Sequence, residues 1–199
     1  MKKLFLAFLV LCCMVTLSSA QSIVVTSGTV NFIKGETVIK FTFSFDEMLV
    51  GKMTESEYVA KKQEEYNAKE AGKGDEWVRR WTADRAERFV PKFMELFDKY
   101  LLEKGVTAGE EGANYVVEIN TDFTEPGWNV GVMRQNASVD LSCKVKKIDT
   151  GEQVATIKIR NASANNFWGV DFDSGYRIQE CYGKAGRELA KFFIKKAKL

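Results

Sequence analysis

The 199-residue sequence contains no histidine. That absence removes a Ser-His-Asp or Cys-His arrangement within this chain, together with every His-containing metal site. Cysteine is nearly as scarce. Four occur, and Cys12 and Cys13 fall in an N-terminal stretch that does not read as part of a folded domain. The remaining two, Cys143 and Cys181, are too few for a thiolate zinc site. They are read either as a disulfide in an oxidising compartment, worth about 3 to 4 kcal/mol by loop closure, or as two small buried hydrophobes.

A charge excess is also missing. The chain has 29 Lys and Arg against 27 Asp and Glu, and without Lys2 and Lys3 the count is 27 against 27. Nucleic-acid binding needs basic residues in excess on one face, so that class is excluded. No apolar run reaches the roughly 20 residues of a membrane span. Instead Lys2 and Lys3, the apolar stretch from Leu4 to Leu17 and the small residues Ser18-Ser19-Ala20 have the pattern of a secretory signal peptide. Leu9, Val10 and Leu11 are bulky where a lipobox wants small residues, which argues against lipidation at Cys12 or Cys13. The expected organisation is a signal peptide over 1–20 and one domain over 21–199. The mature product is expected in the periplasm or outside the cell, with no transmembrane span.

What is present begins with Asn136 to Ala164. Two alternating runs flank Asp149-Thr150-Gly151, with Val139, Leu141, Cys143 and Val145 on one face and Ala155, Ile157 and Ile159 on the other run's matching face. This predicts an antiparallel hairpin, half buried. Ile23 to Val25 and Thr29 to Ile33 are short β-branched runs, and Ile39, Phe41, Phe43 and Phe45 share one face of a strand. Asn114 to Thr121 predicts another strand, and Phe123 to Trp128 a turn-rich connection.

Helices are expected in three places. Thr54-Glu55-Ser56-Glu57 fits a capping box, opening a solvated helix with Glu57–Lys61 and Glu65–Lys69 pairs. Asp75 is expected to cap a second helix, whose stripe runs through Trp77, Trp81, Phe89, Phe93, Leu96, Phe97, Tyr100 and Leu101, with a kink or break at Pro91 near Val90. Ser174 to Lys198 forms a third. Its core stripe is Ile178, Tyr182, Ala185, Leu189 and Phe192, and its small stripe of Gly183, Gly186 and Ala190 suits close approach to the sheet or a partner. The predicted fold class is α+β, a largely antiparallel sheet with helices mainly on one face and the C-terminal helix across the hairpin.

Chemistry is thinly marked. Ala71-Gly72-Lys73-Gly74-Asp75 lacks the Gly-Lys-Ser/Thr ending of a phosphate loop. Asp171-Phe172-Asp173-Ser174-Gly175 has the spacing of the start of a calcium loop without its third acid or distal Glu, and a turn capping the last helix explains it equally. Trp128, Phe167, Trp168 and Tyr176 fall in loops at the hairpin ends. With Asp171 and Asp173 they are the candidate ligand or partner-binding residues, unless the aromatics fold back onto the core. Asn136-Ala137-Ser138 and Asn161-Ala162-Ser163 match the glycosylation acceptor pattern. No catalytic residue, metal ligand or cofactor is specified.

The Lys34-Gly35-Glu36 turn, Val50-Gly51-Lys52 to Thr54, Gly72-Lys73-Gly74-Asp75-Glu76-Trp77, Glu125-Pro126-Gly127-Trp128 and Tyr182-Gly183-Lys184-Ala185-Gly186 together resemble a group of uncharacterised exported proteins of Bacteroidetes-type bacteria. That resemblance spans most of the mature chain and implies an envelope location. At the level of topology the order of elements is similar to α+β envelope lipoproteins that activate penicillin-binding proteins or serve curli secretion. The expected function is therefore a non-enzymatic envelope binding or adaptor module for an envelope protein or glycan. The alternatives are a carboxylate hydrolase acting on glycans, drawing on acids such as Asp122, Asp171 and Asp173, or a metal-stabilised structural module.

Overall fold

The computed structural model describes residues 21–129, 133–164 and 173–199. The predicted hairpin is its centre: β9 (Ser138–Lys147) and β10 (Gln153–Ala162) pair antiparallel, turning at Gly151 in the left-handed region (φ 70°). β1 (Ser22–Gly28) adds to the outside of β10, and β6 (Tyr115–Glu125) to the outside of β9. β2 (Val38–Ser44) then joins β6 in parallel, because the intervening chain crosses over through the helices. The order across the sheet is β1-β10-β9-β6-β2-β5, with β5 (Thr107–Ala108) a short edge piece. β3 (Leu49–Val50) and β4 (Met53–Thr54) form a small corner beside the end of β6.

Register separates the two faces. Val25, Ile157, Cys143, Ile119 and Phe43 form one row across five strands, and the neighbouring row on the other face reads Val24, Lys158, Ser142, Asn120 and Ser44. Alternation has thus written one apolar and one largely polar face. The apolar face is covered by α3 (Val90–Leu101) and α4 (Ser174–Ala197), giving the expected α+β architecture. α1 (Glu55–Asn67) and α2 (Lys73–Asp84) form an outer helical hairpin.

α3 and α4 lie side by side on that face, α3 over β2 and α4 over β9 and β10. Phe93 and Phe97 of α3 meet Phe41 at 5.8 and 4.7 Å between ring centroids, while Tyr182 of α4 stacks on Phe89 at 5.0 Å. The small stripe of α4 turns towards α3: a Cβ at Gly186 would overlap the Phe93 carbonyl. Close approach of one helix to another thus offsets the glycines' poor helix propensity. Phe193, rather than the expected Phe192, is fully buried on the core stripe.

Several elements differ from expectation for identifiable reasons. Thr29 to Ile33 is no strand. Thr29 caps a 3₁₀ turn over Val30–Ile33, its hydroxyl accepting from the Asn31 N–H at 3.3 Å, and Val30, Phe32 and Ile33 are buried. The second helix starts at Lys73 with Gly72 at the cap position, because the Asp75 carboxylate is taken by Gln63 and Asn67 at 2.7 and 3.3 Å. Glu57 serves the Thr54 capping box, and Glu65 pairs with Lys61 and Lys62 instead of Lys69. β6 runs four residues further than expected, through a bulge between Thr121 and Phe123.

The break near Val90 takes the form of a π-turn over Arg85–Phe89, after which Pro91 sits in the first turn of α3 where no N–H is needed. Cys143 and Cys181 are buried free thiols, so of the two readings left open the structure shows the small-hydrophobe one. Cys143 lies mid-sheet opposite Ile157, whereas the Cys181 thiol donates to the Arg177 carbonyl at 3.3 Å and lies by the Ala164 backbone. Burial raises both thiols to about 12.

Candidate binding cleft

A concavity of about 360 Å³ lies between the α1–α2 hairpin and the start of α4. Its wall is aromatic. Asn67 accepts from the Gly74 N–H at 2.7 Å, and Gly74 has no Cβ to collide with the Gln63 carbonyl, so α2 folds back closely on α1. That places Tyr66 against Trp77 (6.0 Å, 27° between planes) and Trp77 against Trp81 (5.3 Å, 22°), a continuous stack of three rings. Tyr58 supports the stack from behind, 5.9 Å from Trp77 and 5.3 Å from Trp81. Burial, and then Tyr66, push its hydroxyl up to about 12, so it stays neutral. Trp81 is fixed by its indole N–H, which donates to Glu55 Oε1 at 2.6 Å, and Arg85 bonds the same oxygen while lying over the Phe45 ring.

The floor is ionic. Arg88, within the π-turn, is ion-paired with Asp84, its Nε 3.0 Å from Oδ1, and donates through Nη1 to Asp173 Oδ2 at 2.8 Å. Asp173 is also the cap of α4, accepting from the Gly175 N–H at 2.8 Å. Gly175 must lack a side chain because a Cβ there would overlap Asp84 Oδ2. The two carboxyls are driven in opposite directions. Burial raises Asp84, with Arg88 only partly opposing it. Burial also acts to raise Asp173, but the Arg88 and Gly175 hydrogen bonds outweigh it and hold that carboxyl below its ordinary value. Arg80, on the rim, lies 3.8 Å from Glu76 and is largely exposed.

Of the candidate residues that are described, Asp173 alone lines this cleft. Trp128 sits on β7 (Trp128–Asn129), which pairs with β8 (Arg134–Gln135) in a small ribbon; it is 42 % exposed, its indole N–H donating to Gln135 at 3.0 Å. Arg177 ties that turn to the start of α4, donating to the Pro126 and Gly127 carbonyls at 3.0 Å each. Tyr176 is half-buried in the first turn of α4. Phe167, Trp168 and Asp171 lie outside the described residues. Tyr66, Trp77, Trp81, Asp84 and Arg88 carry no motif that marks them as a site in the sequence. The available signal was aromatic spacing on two thinly apolar helices joined by a Gly-containing loop.

Asp122 is elsewhere, on the open face of the sheet. Its Oδ2 accepts from Ser142 and, at 3.1 Å, from Lys158, which also donates to Ser142; Asn120 donates to Oδ1 at 3.3 Å. A Ser–Lys pair acts in acyl transfer only if the lysine offers a lone pair. Here the lysine nitrogen is ion-paired with Asp122 and hydrogen-bonded to Ser142. Asp122 and Asp173 therefore lie on opposite faces of the sheet and form no common acidic pocket. Among the described residues no group of three or more Asp, Glu, Cys or His is placed to hold a metal ion, and no helix is long and apolar enough to cross a membrane.

No protein-family model matches the chain, and no curated protein matches it. Among solved structures, a PelC dodecamer from Paraburkholderia phytofirmans is similar over 83 % of this chain and 96 % of that chain, at 12 % identity and a TM-score of 0.36. A neuraminyllactose-binding hemagglutinin homolog from Helicobacter pylori is similar over 79 % of this chain and 81 % of that chain, at 10 % identity and a TM-score of 0.31. Likenesses at these TM-scores carry no argument about function.

Proposed function

We propose that the protein is an exported, non-enzymatic binding module whose cleft takes a neutral, hydroxyl-rich ligand, a segment of glycan. The observation that carries this reading is the stacked Tyr66, Trp77 and Trp81 wall standing over the Asp84, Arg88 and Asp173 floor. A sugar presents C–H groups on one face and hydroxyls at its edges, so an aromatic wall beside fixed acceptors and donors matches both. The floor sets two carboxyls against one guanidinium, and Arg80 on the rim supplies the second positive charge, so the cleft as a whole has no excess of either sign, which disfavours an ionic ligand. The cleft's volume falls in the range of about 300 to 1,000 Å³ usual for small-ligand sites. Export rests on the leader pattern of Met1 to Ala20.

The test is titration of the mature protein with a panel of soluble envelope oligosaccharides, read by tryptophan fluorescence and calorimetry. Trp77→Ala is expected to weaken binding at least about tenfold, while Trp128→Ala, outside the cleft, leaves it unchanged. Saturable binding that survives Trp77→Ala, or no binding to any member of the panel, overturns the reading.

A glycan hydrolase is the second reading, favoured by the opposite displacement of the Asp84 and Asp173 carboxyls, a pattern that separates acid from base. Against it, Arg88 bonds both carboxylates and occupies the space where a glycosidic bond would have to lie. Release of reducing sugar that disappears in Asp84→Asn would favour hydrolysis over binding.

A further inference from the structure

A second candidate surface lies at the opposite margin of the sheet. β1 is the terminal strand of the sheet order, so its outer edge carries no strand partner among the described residues, and Val24 is 47 % exposed. Beside that edge, two concavities of about 470 and 450 Å³ meet at Ile23 and Phe192 and run along the trough between β1 and α4. The trough has an apolar floor and a basic wall. Lys184, Lys191, Lys195 and Lys196 line it, against a single acid, Glu188, which already pairs with Arg187 and Lys191. At its head is the amide of Gln21, whose Nε2 is the only buried side-chain polar atom without a hydrogen-bond partner among the described residues.

We propose that the outer edge of β1 and the lysine-lined trough beside it form a docking site for an extended, acidic segment of a partner protein. An open strand edge supplies main-chain hydrogen bonds to an added strand, and the trough supplies side-chain selection. Alternate residues of the incoming strand face the trough, where apolar ones meet Ile23 and Phe192 and carboxylates meet the lysines. A second copy of this chain is disfavoured as occupant, because pairing β1 with β1 sets two lysine rows against each other.

The probe is a synthetic peptide about ten residues long so as to span β1, with threonine at every second position and valine and glutamate in turn at the positions between, which share one face, and a lysine-for-glutamate version as control. The glutamate peptide is expected to bind and to weaken as salt rises, while the lysine peptide does not bind. Amide exchange across Ser22–Gly28 should slow on binding. Lys191→Glu combined with Lys195→Glu, both exposed on α4, should weaken binding at least about tenfold with the melting temperature unchanged. The proposal is overturned if both peptides bind alike, if the doubly substituted protein keeps its affinity, or if β1 exchange is unaffected. Concentration-dependent protection of β1 with no peptide present would assign the edge to a second copy and overturn it equally.

Discussion

The hydroxyls of Tyr182 and Thr121 share a hydrogen bond of 2.5 Å in the core, where both residues are fully buried. Burial holds the tyrosine hydroxyl well above its ordinary range, so it stays neutral. The bond fixes the height of α4 over β6 at the point where that strand bulges. Each partner has been withdrawn from water, and removing one leaves the other unsatisfied. Tyr182→Phe and Thr121→Val should each cost about 1 to 3 kcal/mol in urea unfolding. The double variant should cost clearly less than the sum of the two. Strict additivity would show that the bond contributes nothing of its own.

Gly183 and Gly186 occupy the same stripe of α4 but face different obstacles. A Cβ at Gly186 would overlap the Phe93 backbone carbonyl, whereas one at Gly183 would lie 3.0 Å from Leu96 Cδ1 and Lys92 Cγ, side-chain atoms that can move. Gly186→Ala should therefore force α3 and α4 apart and destabilise the protein by about 2 kcal/mol or more. Gly183→Ala should fall within about 1 kcal/mol of the parent, because alanine's better helix propensity offsets a small side-chain shift. Equal effects in thermal unfolding would mean that the stripe is not a backbone contact.

These positions also show what the sequence makes legible. The β9–β10 hairpin could be read because alternation over ten residues has one geometric solution, and the Thr54 box and a cap at Asp173 or Ser174 because each is local. Asp75 misled for the same reason in reverse: it has the chemistry of a cap, but Gln63 and Asn67, on the preceding helix, claim its carboxylate. Thr29 to Ile33 has strand-like residues, yet Gly28 in the left-handed region (φ 71°) and the Thr29 cap turn it inward. The cleft was out of reach because Trp77 and Trp81 at helical spacing look like any core stripe. Only the antiparallel return of α2 on α1, fixed by Gly74, lines them up with Tyr66, and only the cap of α4, about ninety residues on, brings Asp173 to Arg88.

The network around Asp122 should govern the acid limb of stability. Burial acts to raise this carboxyl, but hydrogen bonds from Ser142, Lys158 and Asn120, with the Lys158 charge, outweigh it and hold Asp122 below its ordinary value. A carboxyl depressed in the folded state stabilises the fold at every pH above its unfolded value, about 4. That contribution is lost as pH falls through the folded value. Asp122→Asn should therefore lower stability by about 1 to 3 kcal/mol at neutral pH, with the gap to the parent closing below about pH 4. Asp84 has the opposite sign, since its raised carboxyl costs stability once ionised, so Asp84→Asn should leave the acid limb in place. Urea titrations of the parent and both variants across the acid range separate the two. A gap between parent and Asp122→Asn that stays constant with pH would show that the carboxylate's charge plays no part in holding the open face of the sheet.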